Sequence, residues 1–211
     1  MKGEGQELNG QFIPTQKQYE NNLLFSDNRT LTQKIAQAKL LLAQAGYDAQ
    51  RPLPTIHFYV GAAKNTLAYK WAAAAAQQLQ KALPVRITLK EAKRPRQHAG
   101  KNNGEMWRSG WIGDYPGAES YLRLFYSGAQ NPLVFDHIGV DAYYLASIQA
   151  QSKEKRLRAQ MLCEKAILDQ QALIPIYTED FIVLNQLRVR GLQLEASGML
   201  DFSALFIKEL K

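Results

Sequence analysis

The sequence holds one cysteine, Cys163, and three histidines, His57, His98 and His137, among 211 residues. A lone thiol excludes a disulfide framework. The histidines stand 41 and 39 residues apart, and none has a Cys, Asp or Glu at a recognised metal-ligand spacing, so no metal site is expected. Asp136-His137 is the one acid–histidine neighbour pair, and adjacent residues rarely face one site. There is no G-x-S-x-G elbow, no Walker A loop and no H-E-x-x-H. Gly61-Ala62-Ala63-Lys64 lacks the second glycine that a phosphate loop needs. Cys163, beside Ala166 and Ile167 in a helical stretch, reads as a small buried hydrophobe rather than a nucleophile. No reaction centre assembles, so neither an enzyme nor a cofactor is expected. No run of about 18 consecutive apolar residues exists, so no stretch reads as a membrane-spanning helix.

What is present is an ordinary globular balance, 46% apolar and 21% charged, with a net charge of +7. That is enough apolar material for a real core. Residues 81–108 carry eight basic side chains against Glu91 and Glu105, so their +6 is most of the chain's charge. Such a patch can follow a phosphate backbone by releasing counterions. From Lys90 to Lys101, however, no aromatic interleaves with Lys93, Arg94 and Arg96, and no recognition helix or RNA-binding sheet motif accompanies them. The patch reads as a solvated loop and strand edge, and nucleic acid is not an expected partner.

Residues 1–29 are polar, anchored only by Phe12-Ile13-Pro14, and read as a lead-in loop. From Thr30 the apolar positions Leu31, Ile35, Ala38, Leu42 and Ala45 recur at helical spacing. Thr30 with Gln33 forms a capping box and Gly46 supplies the stop. Ile56, Phe58 and Val60 alternate as in a strand, Asn65 to Ala82 is an alanine-rich helix, and Val85, Ile87 and Leu89 alternate again. Strand, helix and strand with short connections make a βαβ unit and hence a parallel layer. Met106 to Trp111 is expected as a third strand and Ala118 to Tyr126 as a short helix. Asp141 to Ala150 and Ser152 to Gln171 read as two more helices, and Leu173 to Tyr177 and Phe181 to Leu184 as β-rich. The end, Leu200 to Leu210, is amphipathic without a clear period.

One segment stands apart: Trp107-Arg108-Ser109-Gly110-Trp111-Ile112-Gly113-Asp114-Tyr115-Pro116-Gly117, at the end of the third strand. Ligands of open α/β sheets collect beyond the carboxyl ends of strands. Trp111 and Tyr115 offer flat walls with polar handles, and Asp114 can take a cationic group of a ligand. The same residues also suit a tight turn in which Asp114 caps the next helix and both tryptophans are core. The residues alone leave both open.

Gly110-Trp111-Ile112-Gly113-Asp114-Tyr115-Pro116, followed by Tyr121-Leu122-Arg123-Leu124-Phe125 and Ser127-Gly128, resembles a glycine-tryptophan-x-x-aspartate-tyrosine-proline segment. That segment belongs to the family 5 extracellular solute-binding proteins, the oligopeptide and dipeptide receptors of ABC importers. Ala38-Lys39-Leu40-Leu41-Leu42-Ala43-Gln44-Ala45-Gly46-Tyr47 is similar to the family's helix ending in Ala-Gly-Tyr. Leu173-Ile174-Pro175-Ile176-Tyr177, Val189-Arg190-Gly191-Leu192 and Gly10-Gln11-Phe12-Ile13-Pro14 resemble further family segments, in the right order. Gly117-Ala118 departs from the pattern, since many members have an acid and a proline there.

The resemblance implies an α/β lobe of a periplasmic-binding-protein-like (type II) two-lobe fold, its mixed sheet flanked by helices. Residues 1–29 would lead into the lobe, 30–196 form the C-terminal ligand-binding lobe, and 197–211 return toward an N-terminal lobe that has no counterpart here. It implies that Asp114 pairs with a peptide's α-amino group, that Arg108 receives a short peptide's carboxylate, and that Trp111 and Tyr115 line the pocket. The backbone beside them would bond the peptide main chain. The expected function is solute capture, of a peptide or other small molecule, by hinge closure, then docking on an ABC permease at the membrane surface. The expected location is periplasmic or extracytoplasmic. The rival readings are a ligand-sensing domain of a transcriptional regulator and a basic nucleic-acid-binding protein.

Overall fold

The computed structural model describes residues 5–7, 10–14, 19–24, 27–95, 105–129, 138–171, 173–179, 183–194 and 200–209. His98, the Asp136-His137 pair, and Arg96 and Lys101 of the basic loop lie outside these. The chain divides into two compact units, Asp27–Gly110 and Met1–Ser26 with Trp111–Lys211. The division falls within the expected 30–196 lobe, between Gly110 and Trp111.

In the Asp27–Gly110 unit, α1 spans Leu31–Gln44. Its start is the expected capping box: Gln33 N–H donates to Thr30 Oγ1 at 3.3 Å and Thr30 N–H to Gln33 Oε1 at 2.8 Å. It ends in a Schellman arrangement, Tyr47 N–H to the Leu42 carbonyl and Gly46 N–H to that of Ala43, each 2.9 Å. Gly46 sits at φ +79°, where a Cβ is strained. β2 (Ile56–Val60) pairs in parallel with β3 (Ile87–Glu91) and β4 (Glu105–Trp107), giving the order β3-β2-β4. Between β2 and β3 runs α2 (Leu67–Ala82), capped by Thr66. Buried Ala72 and Ala76 let α2 approach closely and meet Phe58, Val60 and Ile87 in one apolar cluster. Each large side chain so buried stabilises by about 1.5–3 kcal/mol. The Gln80 side chain accepts the Ile87 amide at 2.8 Å, tying the end of α2 to the start of β3.

In the other unit, α3 (Glu119–Leu122) continues into a 3₁₀ turn, Arg123–Phe125. The hairpin of α4 (Ile138–Gln149) and α5 (Lys153–Asp169, capped by Ser152) packs on it. Ile13, Tyr19, Leu122, Phe125, Val140, Cys163 and Ile167 form the core. The first segment is not all loop. Gly5–Glu7 is a strand, β1, antiparallel to β5 (Tyr177–Glu179), because its backbone finds a partner at least 170 residues away. For the same reason the strand expected over Leu173 to Tyr177 begins only at Tyr177. The unit closes with two ribbons, β6 (Val189–Arg190) with β9 (Phe206–Ile207) and β7 (Gln193–Leu194) with β8 (Leu200–Asp201).

Candidate functional site

β4 is shorter than its sequence predicts, ending at Trp107 rather than Trp111. Arg108 N–H still donates to the Tyr59 carbonyl at 3.1 Å, and β2 then turns away at Gly61, leaving no ladder to extend. Arg108 is therefore half-buried at the carboxyl end of the parallel sheet, in the Asp27–Gly110 unit. His57 lies on the same sheet, edge-on to Tyr59 at 6.4 Å between ring centroids.

Trp111, Asp114 and Tyr115 belong to the other unit, on a turn whose backbone is pinned to α3 by one residue. Ser120, 3% exposed, accepts the Asp114 amide on its Oγ at 2.7 Å and the Trp111 indole N–H on its carbonyl at 3.0 Å. Gly113 is buried beneath this crossing. A Cβ there would stand 3.0 Å from the Tyr121 ring and 3.2 Å from Ser120 Oγ, so a side chain fits only if these two give way by a few tenths of an ångström. The backbone is fixed while the side chains stay accessible. Asp114 is exposed, Trp111 is 47% exposed and Tyr115 44%.

Two features depart from the tight-turn reading, in which Asp114 caps the next helix and both tryptophans are core. The N-cap of α3 is Ala118, which receives no side-chain hydrogen bond, so Asp114 does not cap the helix. Trp111 is not core. Its ring is held by one edge and shows the other to solvent.

Glu119 and Arg123 stand four residues apart behind the turn. Burial, and then the Glu119 carboxylate, push the Tyr115 phenol up, with Arg123 opposing and Asp114 adding to the rise. Tyr115 therefore remains a neutral hydroxyl at ordinary pH. A Cβ at Gly117 would meet the Tyr115 ring at 3.3 Å and Glu119 Oε2 at 3.4 Å, and Ala118 is buried in the core. The departure from the family pattern at Gly117-Ala118 thus falls where the chain packs closely against Tyr115 and the core.

Ser120 and Gly113 are the residues that sequence reasoning missed. The turn itself was the signal, but a serine six positions on shows its role only when the chain folds back. A cavity of about 480 Å³ lies along α4 and α5, lined by Tyr143, Ala146, Glu154, Arg158 and Leu162, and contains none of the four expected residues. Among the described residues no three His, Cys, Asp or Glu side chains gather to hold a metal ion.

The fold is that of extracytoplasmic solute receptors. The murein tripeptide-binding protein MppA, in its unliganded open form, superposes with a TM-score of 0.72 at 23% identity, over 82% of this chain and 34% of that one. Haemophilus influenzae OppA, in complex with the peptide RPPGFSPFR, does so with 0.73 at 19% identity, over 97% and 41%. In sequence, a probable deoxycholate-binding periplasmic protein of Escherichia coli, YgiS, is 30% identical over 169 residues, 79% of this chain and 31% of the relative. The E. coli periplasmic murein peptide-binding protein MppA is 28% identical over 145 residues. The profile of the bacterial extracellular solute-binding proteins, family 5 middle region, matches residues 1–132, and the chain belongs to that family. It spans between a quarter and a third of the length of these curated relatives.

Proposed function

We propose that this chain supplies one lobe, residues 30–196, of a peptide receptor for an ABC importer working outside the cytoplasmic membrane. It binds solute rather than transforming it. Asp114 takes the ligand's α-amino group, Trp111 and Tyr115 wall the adjoining side chain, and Arg108 receives a carboxylate. Closure of a second lobe then removes water and strengthens the ammonium–carboxylate attraction, and the closed receptor docks on its permease.

The observation that carries this reading is the exposed Asp114 carboxylate on a backbone held rigid by Ser120. An exposed carboxylate on a held backbone, in a turn that also carries two partly exposed aromatic rings, suits an ammonium group beside an apolar side chain. Removing one partner of a buried pair costs about 3–5 kcal/mol. In a complete two-lobe receptor containing this sequence, Asp114→Ala should weaken peptide binding by at least roughly tenfold, a floor set below that cost. Unchanged affinity in titration calorimetry overturns the assignment.

The relative named for deoxycholate favours a second reading, an amphipathic organic anion laid on Trp111, Ile112 and Tyr115. Under it, Asp114→Ala would leave affinity unchanged or raise it, because a carboxylate would then no longer face the anion.

A further inference from the structure

Charge is divided very unevenly between the two units. Asp27–Gly110 carries fourteen basic and four acidic side chains, a net +10, whereas the remainder carries twelve basic and fifteen acidic, a net −3. Within the basic unit the cations gather along one edge of the sheet. β3 is the outer strand, and its Ile87 and Leu89 turn into the cluster with α2. Arg86, Thr88 and Lys90 take the opposite face and are exposed. At a rise of ~3.3 Å per residue, Arg86 and Lys90 stand about 13 Å apart on that face. Lys81, in the last turn of α2, precedes the strand, and Lys93 and Arg94 follow it, all exposed. Asp27 is ion-paired with Arg29 and Lys34, whereas none of these five cations meets a carboxylate among the described residues.

Charge on an edge strand also discourages edge-to-edge pairing. That role does not account for cations beyond both ends of the strand, nor for a unit at +10. Five unpaired cations along one edge, with Glu91 the single acid among them, suit a surface of many weak anions rather than one ligand. No aromatic side chain lies between Lys81 and Pro95, so the stacking platform that single-stranded nucleic acid uses is missing there. We propose that the β3 edge is a docking surface for an anionic lipid bilayer, on which Lys81, Arg86, Lys90, Lys93 and Arg94 rest against lipid phosphates. Juxtamembrane basic residues contribute additively near such a surface, and their effect fades within a Debye length, so attachment is reversible and salt-sensitive.

The test is co-sedimentation of the full chain with vesicles of phosphatidylcholine alone and of phosphatidylcholine with phosphatidylglycerol, at low and high salt. The chain should partition onto the anionic vesicles at low salt only. A variant with all five residues changed to Gln should lose partitioning by at least roughly a hundredfold, a floor set below the several-thousandfold that five additive contributions would give. Because the five are exposed, its circular dichroism should match the parent. A control with Lys153, Lys155, Arg156 and Arg158 changed to Gln, in the unit of net −3, should stay within roughly threefold of the parent. Equal binding to neutral vesicles, full binding by the β3-edge variant, an equal loss in the control, or displacement of the vesicles by duplex DNA each overturns the proposal.

Discussion

The amide of Ile13 donates to Glu164 Oε1 at 2.9 Å, across 151 positions of sequence. The amide of Phe12 shares that oxygen at 2.8 Å, while Tyr19 Oη and Asn21 Nδ2 donate to Oε2, each at 2.7 Å. Glu164 is fully buried on α5, and its four donors all come from the segment before residue 22. A carboxylate stripped of water is thus rehydrated, in effect, by the lead-in chain, and the Tyr19 phenol is pushed up by burial and by that charge. Glu164→Ala leaves four donors without an acceptor and should destabilise the chain by about 3–5 kcal/mol in urea unfolding. Glu164→Gln keeps one acceptor and should fall between. A loss under ~1 kcal/mol for the alanine variant contradicts this role.

Cys163 rests in the same core with its Sγ 3.5 Å from the Val140 carbonyl. Burial first, then the Asp141 and Glu164 charges, push its thiol from 9.0 up to about 12. The raised value means that the thiol favours the fold fully below about 9, and that this contribution is lost as pH rises toward about 12. Ellman's reagent at pH 8 should find no reactive thiol in the native chain and one thiol per chain in denaturant. Rapid labelling of the native chain would place Cys163 at the surface.

The turn can be tested without touching any ligand-facing group. Gly113→Ala drives a methyl into Tyr121 and Ser120, and overpacking of this kind costs about 1–3 kcal/mol. Affinity of a complete receptor should drop, and Tyr121→Ala in the same chain should restore part of it by opening the space. Ser120→Ala, which removes the acceptor for the Asp114 amide, should also weaken binding, by about 0.5–1.5 kcal/mol. Wild-type affinity in both single variants would mean that the turn is not held by these contacts.

Local signals were legible and distant ones were not. The Thr30–Gln33 box and Gly46 define α1 within a few residues of themselves, and the period-2 run Ile56, Phe58, Val60 is complete without knowledge of its neighbours. The strand pair β1–β5 and the Glu164 cluster join residues more than 140 apart, and nothing near either partner announces the other. The site was half legible. The aspartate and its aromatic neighbours stand out by composition, yet that the helix begins only after Ala118, and that Ser120 folds back to take the Asp114 amide, shows only in the folded chain. The strand expected as far as Trp111 stops at Trp107 because β2 bends at Gly61 and pairs with it no further, which nothing in Arg108 to Trp111 announces.

Arg108 yields the sharpest remaining prediction, since its role depends on the charge at the far end of the ligand. It lies just beyond β4 with its backbone fixed to Tyr59 at 3.1 Å, so substituting the side chain leaves the strand pairing intact. If its guanidinium receives a peptide carboxylate, Arg108→Ala in a complete receptor should weaken a free-acid peptide by roughly tenfold to a hundredfold, the equivalent of about 1.5–3 kcal/mol for a charged hydrogen bond. The C-terminal amide of the same peptide should bind parent and variant nearly alike. Asp114→Ala should show the complementary pattern, weakening the free amine and sparing its N-acetylated form. Equal losses for acid and amide would mean that Arg108 supports the sheet end rather than the ligand.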